Sequence, residues 1–246
     1  MKVILALVIN LVFTYSAFTS TIVEKRNFVI EAKLSFLPKI PVMDIATVLS
    51  ITKNEYIYDF SIRTNNIVEF INKVNGDGKI IGSIVDTYYK PLRYTYKYTR
   101  KEKEKFVEIE YKDSIINKLT LIPIPDQTKL TKVDKSMMIN TIDPSTFFLN
   151  ILEYKNTNNC DITFKVFDGK RRYNINFEKD NMSISNEYIF CHARQIKLGG
   201  YKVDDDEDVF ASSDSIKIIY RNNDNKDFYG YEANNGSITI YINEVI

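Results

Sequence analysis

Apolar and polar residues alternate with a period of two along most of this chain. Between residues 56 and 62, for example, Tyr56, Tyr58 and Phe60 fall on one face, and Ile57 and Asp59 on the other. Successive side chains of a β-strand point to opposite faces, so this alternation predicts strands with one buried face. The pattern predicts strands at residues 56–62, 93–99, 106–112, 160–167, 171–177, 188–198, 215–220, 228–233 and 237–245.

Short polar segments between neighbouring strands predict hairpins. The charged segment 100–105 connects two predicted strands and should form a solvated tip. Asp168-Gly169 and Asn235-Gly236 connect two further pairs. Asp-Gly suits a type I′ turn, which needs positive φ at both of its central residues. The segment 75–78, Asn-Gly-Asp-Gly, is also predicted to be a turn.

Helical patterns are fewer. Asp143 followed by Pro144 is typical of a helix start, and the apolar residues that follow recur at helical spacing. These apolar residues are Phe147, Phe148, Ile151 and Leu152. A second helix is predicted over residues 65–73. The sequence therefore predicts an α+β fold that is mainly antiparallel β, with one or two helices.

The first 20 residues have the layout of a secretory signal peptide. Lys2 is followed by an apolar stretch at 3–13 and then by small and polar residues. This stretch is shorter than the roughly 20 residues that a membrane-spanning helix needs. We therefore expect a cleaved signal at 1–20 and a single exported β-rich domain at 21–246, with the periplasm as its compartment. An uncleaved amino-terminal anchor is the alternative.

The charges of the exported part balance. The chain has 33 Lys+Arg and 32 Asp+Glu, and residues 1–20 contain one of these charges, Lys2. A net charge of zero gives little attraction to DNA or to an anionic membrane surface. We expect no nucleic acid partner and no stable membrane span in the mature chain. The segment 88–105 interleaves aromatic and basic residues, and we interpret it as strand that buries tyrosine rings.

Two cysteines, Cys160 and Cys191, are present in the whole chain. An oxidising compartment allows them to pair, and two cysteines leave one possible connectivity. A disulfide that closes this loop would contribute roughly 3 to 4 kcal/mol to stability. Two buried free thiols are the alternative.

No pattern in the sequence indicates a catalytic or metal site. The single histidine, His192, is predicted to be an ordinary strand residue, and there is no Gly-x-Ser-x-Gly motif. The acidic run at 204–208 could bind calcium loosely, but it lacks the spaced ligands of an EF-hand and is better interpreted as a solvated loop. We therefore expect no catalytic residue, no metal and no cofactor.

Several motifs resemble the bacterial family known as domain of unknown function 3108. The motifs are Asp143-Pro144-Ser145, Cys160, Phe167-Asp168-Gly169-Lys170-Arg171-Arg172-Tyr173, Cys191 and Gly199-Gly200-Tyr201. Many members carry a proline just before the penultimate strand, where this chain has Phe228-Tyr229-Gly230. The resemblance implies an exported protein without an assigned reaction. It also implies a fold similar to the periplasmic lipoprotein carriers, a curved half-open barrel-like sheet with one or two covering helices.

Such a fold suggests a non-catalytic carrier that binds a lipid or a hydrophobic client protein on its concave face. The candidate binding residues are Tyr94, Tyr96 and Tyr98 on the sheet, with Phe147 and Phe148 on a lid helix. The plain alternative is that these rings fill a closed core. A scaffold that binds a protein through an edge strand or through the 100–105 tip is the competing function, and a hydrolase is third. Arg171 and Arg172 are interpreted as surface charges of a hairpin.

Overall fold

Antiparallel strands dominate the computed structural model, as the alternation predicts. The structure describes residues 21–34, 37–65, 73–100, 102–153, 160–202, 215–234, 236 and 238–245. The predicted signal peptide, nearly all of the predicted helix at 65–73 and the acidic run at 204–208 lie outside the described residues.

Thirteen strands of the described chain form one continuous sheet. They are β1 (Thr21–Leu34), β2 (Ile40–Thr52), β3 (Glu55–Thr64), β4 (Val74–Val85), β5 (Tyr88–Arg100), β6 (Lys103–Lys112), β7 (Ile115–Ile122), β8 (Ile162–Phe167), β9 (Arg172–Ile184), β10 (Tyr188–Gly199), β11 (Ser215–Arg221), β12 (Phe228–Asn234) and β13 (Ile238–Val245). Each strand pairs antiparallel with its neighbour, in the order β7-β6-β5-β4-β3-β2-β1-β13-β12-β11-β10-β9-β8. The predicted fold class is confirmed.

Two meanders, β1 to β7 and β8 to β13, are joined where β1 pairs with β13. The remaining edges, β7 and β8, do not pair with each other. A short segment at 139–142 connects them instead: Ile139 bridges to Ile115 of β7, and Ile142 bridges to Val166 of β8. The sheet is therefore curved and half-open, with its two edges linked through one connecting segment.

A helix covers the concave face, which is the face that carries most of the buried side chains. Helix α1 (Pro144–Leu152) begins after Asp143, whose carboxylate accepts hydrogen bonds from the backbone N–H groups of Ser145 and Thr146. The predicted helix start is confirmed. Proline at the first helical position costs nothing, because its missing N–H would have no partner within the helix.

Helix α1 contributes to two buried clusters. Leu149 belongs to the tyrosine cluster, and Ile151 and Leu152 belong to the phenylalanine cluster. The buried members of the tyrosine cluster are Leu49, Tyr56, Tyr58, Phe60, Ile80, Tyr89, Tyr94, Ile109, Tyr111, Leu149 and Phe167. The phenylalanine cluster is centred on Phe28, Phe164, Phe177 and Phe228, with the Cys160–Cys191 disulfide inside it. The predicted disulfide is present, with its Cα atoms 5.5 Å apart.

The turn predicted at residues 75–78 was wrong. Segment 75–78 lies inside β4, where Gly76 pairs with Tyr98 and Gly78 with Phe60 and Tyr96. A Cβ atom on Gly76 would lie 2.6 Å from the Tyr98 Cβ and 2.7 Å from the Tyr96 Cε2, so glycine here lets rings pack against the strand. The hairpin predicted at Asp168-Gly169 is present and joins β8 to β9, but it turns through four residues, 168–171, and not through a type I′ turn, since Phe167 pairs with Arg172 and only Gly169 of the two has positive φ.

Candidate functional site

The β5–β6 hairpin presents a graded row of side chains on the concave face. Tyr94 pairs with Ile109, Tyr96 with Val107, Tyr98 with Lys105 and Arg100 with Lys103. Because alternate residues share a face, these four pairs form a ladder from the interior to one end of the sheet. We call this end, which also carries the 168–171 loop, the hairpin end. From the interior outward, the first two pairs each join a tyrosine to an aliphatic residue, the third joins Tyr98 to Lys105, and the fourth is cationic.

The predicted tyrosines differ in burial along this ladder. Tyr94 is buried, with 5% of its surface exposed, whereas Tyr96 and Tyr98 are partly buried. The Tyr96 and Tyr98 rings stack with centroids 4.7 Å apart, and the Phe60 ring lies 5.5 Å from Tyr96. Lys105 places its Nζ atom 5.8 Å from the centre of the Tyr98 ring. Burial raises the pKa of each of the three tyrosines, so all three remain neutral at ordinary pH.

A buried carboxylate lies deeper in the tyrosine cluster. Asp143 is fully buried, and its Oδ2 accepts a hydrogen bond of 2.5 Å from the Thr146 hydroxyl. Burial raises its pKa to about 6, although the hydrogen bonds from Thr146 and Ser145 oppose this rise. The charge of Asp143 also raises the pKa of Tyr94 and of Tyr111. The Tyr111 hydroxyl has no hydrogen-bond partner among the described residues.

The 168–171 loop borders the hairpin end from the opposite edge of the sheet. Asp168 Oδ1 accepts from the backbone N–H groups of Lys170 (2.9 Å) and Arg171 (2.6 Å), and its Oδ2 accepts from Arg171 Nε at 2.7 Å. Gly169 has φ of +94° and contacts the side chains of Val107 and Leu121. The negative charge of Asp168 raises the pKa of Tyr98, and the positive charge of Arg171 lowers it. The loop therefore lies near the aromatic rings.

Arg172 is not a surface charge, so that prediction was wrong for one of the two arginines. Its exposed fraction is 3%. Its guanidinium donates from Nε to the Met137 carbonyl (2.7 Å), and from Nη1 to Asn174 Oδ1 (2.8 Å) and the Tyr173 carbonyl. These contacts tie β9 to the segment before α1, and the sequence could not show them because 35 residues separate Arg172 from Met137. Burial lowers the pKa of Arg172.

The five predicted binding residues do not lie together. Tyr96 and Tyr98 form one stack, whereas Phe147 and Phe148 pack into the phenylalanine cluster. The Phe147 ring lies 5.2 Å from Phe164, and the Phe148 ring lies 5.2 Å from Phe28. Sequence reasoning also missed Lys103 and Lys105 as neighbours of the tyrosines. The signal was available, because the same alternation that orients the tyrosines continues through the run Lys103-Glu104-Lys105.

Helix α1 fills the concave face toward the other end of the sheet. Its Asn150 side chain bonds both the N–H and the carbonyl of Tyr89, at 2.9 and 3.0 Å, and Tyr220 donates to the Ile151 carbonyl. Among the described residues, the spaces beside the helix include two of about 10 Å³ each, enough for a single water at most. Their linings include Ile162, Phe164 and Phe177 for one, and Thr47, Leu49 and Tyr58 for the other.

Within the described ranges, no helix is both long enough and apolar enough to cross a membrane. The same part of the chain has no group of three or more His, Cys, Asp or Glu residues arranged to hold a metal ion. His192 lies between Cys191 and Ala193, both buried on the concave face, so its ring points to the convex side beside Lys217.

These features define a curved, half-open, barrel-like antiparallel sheet with a covering helix and an aromatic and basic end. The chain belongs to the family described as protein of unknown function (DUF3108), whose model matches residues 30–242. A solved structure titled as a beta-barrel-like protein of domain of unknown function DUF1849, from Brucella abortus, is 9% identical to this chain. The match covers 90% of this chain and 95% of that chain, with a TM-score of 0.48. No curated protein matches the sequence.

Proposed function

We propose that the protein is an exported, non-catalytic binder of a hydrophobic ligand, with the periplasm as its compartment. The ligand lies on the concave face at the hairpin end, against the stacked rings of Tyr96 and Tyr98. The observation that carries this proposal is that these two stacked rings are partly exposed on the same face as the buried tyrosine cluster. Tyr94, one position further in on that face, is buried.

The hairpin end suits a hydrophobic ligand in other ways. Val107 and Leu121 pair across β6 and β7 beside the rings and add aliphatic surface. Aromatic side chains offer a large contact area while few bonds need to be ordered on binding. Helix α1 occupies the concave face near Tyr89, so a ligand there would have to displace it. Phe147 and Phe148 therefore have no part in the proposed site.

A titration with the fluorescent polyene fatty acid cis-parinaric acid tests the proposal. The chain offers a control pair, because the rings of Tyr188 and Tyr229 also contact each other, with centroids 4.8 Å apart and planes tilted by 50°, on the convex face. We expect wild-type protein to raise the probe's emission saturably. We expect the double variant Tyr96→Ala/Tyr98→Ala to bind about tenfold more weakly, and Tyr188→Ala/Tyr229→Ala to bind as wild type does. No saturable binding to wild type, or equal losses in both variants, would contradict the proposal.

A scaffold function remains the second candidate, and the edge strand β7 favours it. Apart from the bridge between Ile115 and Ile139, no described strand pairs with the outer edge of β7. Ile115, Ile122 and Ile124 are exposed by 49%, 58% and 83% along and just beyond this edge. An exposed apolar edge can accept a strand from a partner protein. Crosslinking in cells that captures a protein at β7, together with no binding of the fatty acid, would favour the scaffold.

A further inference from the structure

The β5–β6 hairpin separates its charges between its two faces. Lys103 and Lys105 lie on the concave face, in register with Arg100 and Tyr98. Glu104 lies between them in sequence and therefore points to the convex face, where it pairs with Lys97 at 3.3 Å. A run in which acidic and basic residues alternate is neutral as a sequence but has one basic face once it forms a strand.

The other acidic residues of β6 follow the same rule. Glu108 and Glu110 lie on the convex face, where Lys118 pairs with them at 2.9 and 3.2 Å and Arg93 also contacts Glu108. Glu102 is an exposed residue of the turn, with φ of +62°. In the described part of the hairpin, the acidic side chains of β6 are thus directed away from the tyrosine rings, and the cationic ones are directed toward the rim beside them.

Lys105 is the point at which the cationic and aromatic features meet. It pairs directly with Tyr98 across the hairpin and lies over that ring. Burial lowers the pKa of Lys105, and the positive charges of Arg100, Lys170 and Lys103 lower it further. Lys170 belongs to the 168–171 loop, in which Arg171 is paired with Asp168 at 2.7 Å, so both edges of the sheet contribute charged residues to this end.

We propose that the ligand of the concave face is an anionic single-chain lipid. Its carboxylate or phosphate head binds Lys105 and Lys103 at the rim, and its apolar tail lies inward along Tyr98 and Tyr96 toward Val107. This proposal rests on the proposed function and adds the chemical class of the ligand to it. The order of the ladder carries it. From the rim inward, the pair Arg100–Lys103 is cationic, the next joins Tyr98 to Lys105, and the last two each join a tyrosine to an aliphatic residue, so positive charge precedes apolar surface as the head of an amphiphile precedes its tail.

The test compares cis-parinaric acid, its uncharged methyl ester and inorganic phosphate on the full chain. The double variant Lys103→Gln/Lys105→Gln removes two concave-face charges. The matched control Lys90→Gln/Lys97→Gln removes two charges from exposed positions of β5. Both variants change net charge equally, and thermal unfolding of each should match wild type because the lysines at these positions are not part of the buried core.

We expect wild-type protein to bind the acid about tenfold more tightly than the ester. The Lys103→Gln/Lys105→Gln variant should lose this preference by weakening binding of the acid alone, and the control should retain it. Inorganic phosphate should compete only at concentrations far above those of the acid.

Four outcomes would overturn the inference. If wild type binds acid and ester equally, or if Lys103→Gln/Lys105→Gln still prefers the acid, these lysines do not recognise the head of the ligand. The proposed function would then still stand. If phosphate alone binds as tightly as the acid and the ester does not bind, the site recognises a free anion instead of a lipid. If neither acid nor ester binds, the proposed function fails as well.

Discussion

Gly169 shows at the residue scale how the two edges of the sheet meet. Its φ of +94° lies in the left-handed region, and a Cβ atom there would lie 2.9 Å from both the Val107 Cγ1 and the Leu121 Cδ2. Gly236 has a similar φ of +86°, but nothing lies within 4 Å of the position that its Cβ would take. Substituting Gly236 would therefore cause backbone strain alone, whereas substituting Gly169 would cause both backbone strain and a steric clash.

We expect Gly236→Ala to lower the free energy of unfolding by about 1 to 2 kcal/mol through backbone strain alone. Gly169→Ala should cost this amount and a further 1 to 3 kcal/mol, roughly, because the added methyl group overpacks the contact with β6 and β7. Denaturant unfolding of both variants measures the difference. Equal losses would show that the 168–171 loop does not press against Val107 and Leu121.

Asp143 makes stability depend on pH in a defined direction. Its pKa is raised from 3.8 to about 6 in the folded protein. Between these values the folded form of this group binds more protons than the unfolded form, so the stability that Asp143 contributes is fully present below pH 4 and is lost as the pH rises through about 4 to 6. The loss attributable to this group is about 3 kcal/mol.

The variant Asp143→Asn isolates this effect, because asparagine keeps an acceptor for the helix N–H groups and does not titrate. We expect the unfolding free energy of wild type to decline relative to that of Asp143→Asn between pH 4 and 7, roughly by the amount given above. Denaturant titrations at several pH values measure the two curves. Parallel curves would mean that Asp143 is not desolvated in the folded protein.

The sequence pattern predicted the positions of some of these side chains better than the positions of others. The alternation of Tyr94, Tyr96 and Tyr98 placed all three on one face, since that depends only on the two-residue period of a strand. The burial of Arg172 could not be predicted in this way. Its position depends on a carbonyl of Met137, and a long-range contact of this kind leaves no local pattern.

At the scale of elements, Asn150 anchors α1 to the sheet. Its side chain is the partner of both backbone groups of Tyr89 and also donates to the Thr146 carbonyl at 3.0 Å within the helix. Asn150 is 5% exposed, so water could not easily replace these hydrogen bonds. The helix therefore belongs to the folded core at this end and does not act there as a loose cover.

We expect Asn150→Ala to lower the free energy of unfolding by about 2 to 4 kcal/mol, because it leaves a buried N–H and a buried carbonyl without their partner. Asn117→Ala on the exposed part of β7 is the control and should change stability by no more than about 0.5 kcal/mol. Thermal and denaturant unfolding provide the comparison. A loss in Asn150→Ala as small as that in the control would show that α1 is not held through Tyr89.

The boundaries of helices and strands could be predicted from the sequence where they depended on one local signal. The start of α1 required only an acidic cap and a following proline, and both were visible. Strand β4 was obscured because glycine at 76 and 78 is typical of turns. Here these glycines accommodate the rings of Tyr96, Tyr98 and Phe60 from neighbouring strands, and that requirement appears only after the strands have paired.

At the scale of the whole molecule, the order of the strands explains why the hairpin end is a meeting point. The outermost parts of the two meanders, the β6–β7 pair and the β8–β9 loop, are far apart along the sheet but come into contact through Gly169. The mainly antiparallel class followed from periodicity, and the curved half-open shape followed from family resemblance. Neither indicated that the 139–142 segment would link the edges, because such a link depends on the curvature of all thirteen strands.

The central claim, that a lipid lies on the concave face at the hairpin end, is tested most directly by photocrosslinking. A fatty acid with a photoreactive group in its tail would be bound to the purified protein, irradiated and mapped by peptide mass spectrometry. We predict saturable labelling within residues 94–107, suppressed by excess unlabelled fatty acid and weakened in Tyr96→Ala/Tyr98→Ala. Labelling confined to the convex face, around Tyr188 and Tyr229, or labelling that unlabelled fatty acid does not suppress, would contradict the claim.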